Sequence, residues 1–255
     1  MEKGIYLDID MDYFVTPVEK ISVDNIRIFH DMECETSPVG PVADKLIESG
    51  LSWDKNVIHC FTNHKKSYTY WWMCKRKGYT VIHIDAHSDL YRNYNKDLRL
   101  LPNGEISCYN YLWYAIRDHY IDEIYWVIPD SQRFLIDDGK AEAIINRALI
   151  KNSYKDSKGM HIHFGCICID GVEKDIVLHA CTIEKLPYMK AACDIVTIAT
   201  SPEFIPAKAD SLVYELFECF DASDDVKKNI YRQHLDMLSK PKGEVEEART
   251  RLGIF

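Results

Sequence analysis

The stretch Ile5-Tyr6-Leu7-Asp8-Ile9-Asp10-Met11-Asp12-Tyr13-Phe14 starts as an apolar run and closes with carboxylates at every second position. A second stretch, Val81-Ile82-His83-Ile84-Asp85-Ala86-His87-Ser88-Asp89-Leu90, has the same pattern. Alternate side chains of an extended strand share a face, so each stretch would present its acids together. Carboxylates crowded at strand ends repel one another and lose hydration, a cost that a bound cation removes. Both stretches therefore predict strands ending at a metal site.

Strand-like runs, bounded by polar or turn residues, recur at 4–7, 56–61, 80–84, 123–128, 161–169 and 195–199. Helical patterns occupy 66–77 (with Gly78 as its C-cap), 109–119, 138–148, 206–220 and 224–238. The aromatic block Tyr68, Tyr70, Trp71, Trp72 is expected to pack its helix on the sheet. Residues 151–159 read as a polar loop and 240–251 as a solvated charged tail. Alternation of strands and helices predicts an α/β protein, a three-layer α/β/α arrangement around a mainly parallel sheet. Without repeats or low-complexity linkers, residues 1–255 read as one domain. Ligands of such sheets bind beyond the carboxyl ends of the strands, where both acidic clusters fall.

Composition narrows the function. A formal net charge of -9 argues against broad nucleic-acid or anionic-membrane binding, which need basic surface. The 9 cysteines are scattered without a CxxC pair, and Cys166 and Cys168 read as alternate strand positions rather than half a zinc site. No stretch approaches the roughly 20 apolar residues of a membrane-spanning helix. The opening residues carry no apolar signal segment. A cytoplasmic protein with reduced thiols is expected.

Asp85-Ala86-His87-Ser88-Asp89 resembles the Asp-Ala-His-x-Asp motif of the arginase/agmatinase superfamily, whose members bind a pair of Mn²⁺ ions. That family's earlier histidine, at the end of the preceding strand, is matched by His64 after Val57-Ile58-His59-Cys60-Phe61. Its Tyr-Leu-Ser-Phe-Asp-hydrophobic-Asp strand is similar, without gaps, to Tyr6 through Asp12. The resemblance implies an arginase-like fold and Asp10, Asp12, His64, Asp85, His87 and Asp89 as ligands of two Mn²⁺ ions. Asp8 stands where the family has serine and is either a group behind the ligands or a further ligand.

The chain departs from ordinary arginases in order and in detail. Its Asp-x-Asp strand precedes the Asp-Ala-His-x-Asp strand, as in a circular permutation. Asp194-Ile195-Val196-Thr197 resembles a late family segment, but Thr197 replaces the glutamate that holds the substrate guanidinium. Glu203, in Thr200-Ser201-Pro202-Glu203-Phe204, is the nearest substitute. The histidine that arginases carry soon after the metal motif is missing from 102–110. These features resemble a divergent branch that includes peptide arginases, which convert arginine side chains of ribosomally made precursor peptides to ornithine. The resemblance implies Asp89 and Glu203 as catalytic residues, Glu203 and Asn110 as substrate-binding residues, and an arginine-containing peptide or small guanidino compound as substrate. Related enzymes are often trimers or hexamers; the permuted order leaves the oligomeric state open.

Other readings compete. Asp8-Ile9-Asp10 after a strand also resembles the nucleophile motif of haloacid-dehalogenase-type Mg²⁺ phosphatases, which gives no role to His64 or to the second cluster. Zinc-dependent deacetylases use fewer carboxylates around one ion. A metal-binding but catalytically silent protein fits the missing histidine. Bland roles are expected for His83 (a hydrogen-bonded support), for His59, and for His161 and His163. Glu203 also suits a helix N-terminus.

Overall fold

The computed structural model describes residues 3–23, 26–27, 32–91, 93, 95–236 and 242–252. Its first element, β1 (Ile5–Asp10), is buried along its whole length. Then come β2 (Val15–Thr16), β3 (Glu35–Thr36), α1 (Gly40–Glu48), β4 (Leu51–Ser52), β5 (Ile58–Phe61), α2 (Lys66–Cys74) and β6 (Tyr79–Ile84). The middle of the chain supplies α3 (Tyr111–Arg117), β7 (Ile121–Val127), α4 (Phe134–Asp137), β8 (Ile150–Lys155), β9 (Met160–Ile167), β10 (Glu173–Cys181) and β11 (Ala191–Ala199). Helices α5 (Leu212–Cys219), α6 (Asp224–Asp236) and α7 (Lys242–Leu252) follow.

Nine strands form one mixed sheet in the order β4-β11-β1-β6-β7-β10-β9-β8, with β5 also paired to β11. Pairing is parallel from β4 and β5 through β10, and antiparallel only where β9 meets β10 and β8. The alternation of β1 divides its side chains between two cores. Leu7 and Ile9 join Val42 and Leu46 of α1 and Leu216 and Phe217 of α5. Tyr6 faces the opposite way, with Trp71 of α2 and Tyr111 and Leu112 of α3. Helices thus cover both faces of the sheet, as its fully buried parallel strands require. Each large apolar side chain buried there contributes about 1.5–3 kcal/mol.

Register positions the site. Asp8 lies opposite His83 on β6 and opposite Thr197 on β11, and Asp10 lies opposite Ala199. Ala199 in turn pairs with Phe61 at the end of β5. The parallel strands therefore end together, and the segments that follow β1, β5, β6 and β11 meet at one edge.

Several elements differ from the sequence reading. Residues 151–159 are not a loop: most of them belong to β8, whose mostly exposed polar side chains suit a sheet edge. The helix expected at 138–148 shrinks to a short 3-10 turn at Lys140–Ile144, bounded by left-handed Gly139 (φ 70°) before it and by extended Ile145 after it. Helix α2 ends at Lys75 (φ 54°), before Gly78. Only the last part of 206–220 is α-helical. The charged tail forms α7 and buries Val245 and Ala248. Strand β10 and helix α1 lay outside the expected elements. Residues 237–238 of the expected fifth helix, and 240–241 of the expected tail, lie outside the described residues. Trp71 is buried as expected, whereas Trp72 is exposed. Among the described residues, no helix is long and apolar enough to cross a membrane.

Candidate metal centre

Strand β1 stops at Asp10, and Asp12 belongs to a 3-10 turn (Met11–Phe14) capped by Asp10, Asp12 N donating to Oδ1 at 3.3 Å. The turn aims both carboxylates past the strand end. Beyond β6, Trp126 Nε1 donates to Asp85 O at 3.0 Å, and His87 N donates to Asp85 Oδ1 at 2.6 Å. Asp89 sits in the left-handed region (φ 49°), which turns its side chain back toward Asp85. His64 comes from the turn between β5 and α2. All six of the expected ligands are thereby brought together, and all but His87 are at least nine-tenths buried.

Two overlapping donor sets result. In the first, His64 Nδ1 lies 3.0 Å from Asp10 Oδ2, 2.9 Å from Asp85 Oδ2 and 3.2 Å from Asp89 Oδ2. In the second, His87 Nδ1 lies 2.7 Å from Asp12 Oδ2 and 3.6 Å from Asp85 Oδ1. Donor atoms about 2.0–2.2 Å from a common ion stand roughly 3 Å apart. His64 Nδ1, Asp85 Oδ2 and Asp89 Oδ2 are buried without a hydrogen-bond partner among the described residues, despite their close approach. Buried polar atoms left in that state want a cation. The Asp/His groups can hold a metal ion.

Charge points the same way. Even with His64, His83 and His87 protonated, the carboxylates of Asp8, Asp10, Asp12, Asp85 and Asp89 outnumber the cations, and no described Lys or Arg pairs with them. Burial, together with Asp10 and Asp85, raises the Asp12 carboxyl well above its usual range. Burial and Asp85 push Asp89 up to about 6. Burial opposes charge on His64 and His87, yet Asp8 and Asp10 raise the first well above the ordinary imidazole value, as Asp12 and Asp85 do the second. Without an ion, protons do part of the neutralising; a metal would displace them.

Asp8 has a different place. Its Oδ1 accepts from Ser67 Oγ and Thr197 Oγ1, each at 2.6 Å, and lies 3.1 Å from His64 Nε2. Its Oδ2 accepts from the Tyr111 hydroxyl at 2.5 Å and from His83 Nδ1 at 3.1 Å. Burial alone would push this carboxyl up, but His64 and His83 hold it well below the usual range. Asp8 could be grouped with His64 and His83 as a third donor set. Its oxygens, however, are already filled with hydrogen bonds, so it supports His64 from behind and orients Nδ1 toward the cluster. His83 is likewise a support, its Nε2 donating to His87 O at 3.1 Å.

Ser67, Tyr111, Thr197 and Ser201 (whose Oγ donates to Asp10 Oδ2 at 2.6 Å) were not singled out as site residues by the sequence reading. They come from α2, α3, β11 and the loop directly after β11; no local motif marks Ser67 or Tyr111, whereas Thr197 and Ser201 fall in segments quoted above for other residues. The Glu19 carbonyl, which accepts from His87 Nε2 at 2.6 Å, leaves no side-chain signature at all.

A cavity of about 640 Å³ opens onto Asp10, Asp12, Asp85, His87 and Asp89. Its walls include Lys20, Tyr91, Tyr109, Phe134, Leu135 and Phe204. Two expected residues stand away from it. Glu203 is 1% exposed and accepts from Asn63 Nδ2 at 3.0 Å, and it is not among the lining residues. Asn110 closes a local turn: its Oδ1 accepts from Ser107 N at 2.8 Å and its Nδ2 donates to Glu105 O at 3.1 Å. His161 belongs to another part of the sheet, its Nδ1 lying 2.6 Å from His179 Nδ1.

Comparison of the chain with protein-family models, with curated proteins and with solved structures gives no match.

Proposed function

We propose that this chain is a metal-dependent hydrolase of linear amidines, a peptide arginase that uses two Mn²⁺ ions to convert arginine side chains of a precursor peptide to ornithine and urea. One observation carries the reading: Asp85 directs its two oxygens to different histidines, Oδ2 to His64 and Oδ1 to His87. A single carboxylate so placed can bridge two ions. Asp10, His64 and Asp89 would complete one ligand set, Asp12 and His87 the other. Carboxylates with one imidazole per ion suit Mn²⁺. When bound, the ion pair would supply the Lewis acidity that makes water nucleophilic near neutral pH.

The chain's own residues would do the rest. Water adds to the guanidinium carbon, the bond from that carbon to the side-chain Nε breaks, the nitrogen takes a proton and leaves as the ornithine amine, and the carbon leaves as urea. Asp89, which lines the cavity with Asp85, would hold the proton in transit. The aromatic faces of Tyr109 and Phe204 suit a planar cation. The cavity supports a peptide over free arginine. A free amino acid would bring an ammonium and a carboxylate into largely apolar walls where, among the described residues, Lys20 is the charged group outside the ligand set, whereas a peptide brings neutral amides.

The phosphatase alternative needs Asp8 or Asp10 as nucleophile, and Asp8 is sealed behind the ligands with both oxygens occupied. A single-zinc deacetylase leaves one of the two donor sets without a purpose. The test is mass spectrometry of arginine-containing peptides and small guanidines incubated with the Mn²⁺-loaded protein. Ornithine and urea are expected. Bound Mn²⁺ with every guanidine left intact would make this a silent metal-binding protein, and release of phosphate from an aryl phosphate would favour the phosphatase.

A further inference from the structure

His87 is the most exposed of the candidate ligands, with its side chain 25% accessible, and two segments outside the ligand set hold its ring. Residues 19–22 run along the cavity: the Glu19 carbonyl accepts from His87 Nε2, and Ser22 Oγ shares a 3.0 Å hydrogen bond with the Tyr109 hydroxyl. Residues 200–204 supply the other contact, with the Phe204 ring centred 5.1 Å from the His87 ring. In that loop Ser201 is a non-glycine residue at φ 34°, a conformation that needs outside support.

One buried side chain anchors the second segment. Arg27 is 1% exposed. Its Nε donates to Pro202 O at 2.9 Å, inside the second segment. Its Nη1 and Nη2 grip Asp210 Oδ2 and Oδ1 at 3.0 and 2.7 Å, and Nη2 lies 2.8 Å from His234 Nε2. His234, from α6, reaches back through Nδ1 to Thr200 Oγ1 at 3.0 Å. A bidentate guanidinium–carboxylate pair is geometrically exacting, so the fork fixes Arg27 relative to the base of the loop.

We propose that Arg27 is a positioning residue of the metal centre. By fixing the loop at 200–204, it keeps the Phe204 ring against His87 and Ser201 Oγ on Asp10 Oδ2. Both donor sets lean on this loop, the one built on His64 through Ser201 and Asp10 and the other through Phe204 and His87. The inference rests on the metal-centre reading and adds to it a residue that would touch neither ion nor substrate.

The test is titration of the whole protein with Mn²⁺ alone, following bound metal by elemental analysis and free Mn²⁺ by electron paramagnetic resonance. Wild type is expected to bind two ions. Arg27→Lys keeps the charge and loses the fork; it should weaken binding of both ions by about 10–100-fold, the usual effect of losing an outer-shell partner. Asp210→Asn attacks the same fork from the other side and reads the clamp if the lysine variant does not fold. Leu178→Ala, in the core of β10, controls for general destabilisation and should retain both ions. Two ions in wild type with both affinities unchanged in Arg27→Lys and Asp210→Asn would overturn the clamp and leave the metal centre standing. A loss of the same size in Leu178→Ala would also overturn it. A wild type that binds no Mn²⁺ would overturn both readings.

Discussion

Tyr111 donates its hydroxyl proton to Asp8 Oδ2 at 2.5 Å, tying α3 to the middle of the central strand directly behind the ligand cluster. The same carboxylate takes protons from Ser67, Thr197 and His83, so one buried anion joins α2, α3, β6 and β11. Burial and nearby carboxylates, Asp8 first among them, raise the Tyr111 hydroxyl well above the usual phenol range, which keeps it a donor at any ordinary pH.

Tyr111→Phe should therefore cost about 1–3 kcal/mol of stability, since it leaves a buried charged acceptor short of a donor. Asp8→Ala should cost more, about 3–5 kcal/mol, because buried histidines lose their counter-charge. Urea denaturation of the metal-free proteins measures both. Equal stability of Asp8→Ala and wild type would show that Asp8 is not the support described.

Glu203 fixes Asn63, whose Oδ1 accepts from Lys65 N at 3.2 Å in the turn that aims His64. Glu203→Ala should lower Mn²⁺ affinity by about 10–100-fold, as loss of a group behind a ligand commonly does. The KM for an arginine peptide, measured at saturating Mn²⁺, should change little. A raised KM with unchanged metal affinity would instead make Glu203 the guanidinium partner that the sequence suggested.

Away from the metal centre, Glu123 is held down to about 2 by its hydrogen bond from His179, with Lys3 and Thr80 assisting. A carboxyl lowered on folding contributes stability that is present above its ordinary value and is lost as pH falls toward the folded value. The window here runs from 4.5 down to about 2. The Tm deficit of Glu123→Gln relative to wild type should be largest above pH 4.5 and shrink as pH drops through that window. A deficit that grows on acidification would contradict this assignment.

The sequence disclosed the centre of the molecule better than its edges. The alternation of Tyr6, Asp8 and Asp10 against Leu7 and Ile9 is set by strand geometry, and the chain does place them on opposite faces. The six acids and histidines named as ligands converge because parallel strands end at a common edge. Strand β8 was hidden because edge strands carry polar residues that resemble a loop. Asp12 was expected on the strand and lies one turn beyond it, a difference that only the Asp10 cap reveals. Glu203 was noticed for its charge, yet its direction depends on Asn63, a partner distant in sequence. Arg27 gave no signal, since its partners at 202, 210 and 234 are brought to it only by folding.

The most direct measurement is a crystal structure of the protein grown with Mn²⁺, with anomalous scattering recorded at the manganese edge. Two peaks are predicted with the Asp85 carboxylate between them, one beside His64, Asp10 and Asp89 and the other beside His87 and Asp12. No anomalous peak in this cluster at saturating Mn²⁺, or a single ion bound by Asp8 and His83 instead, would contradict the account.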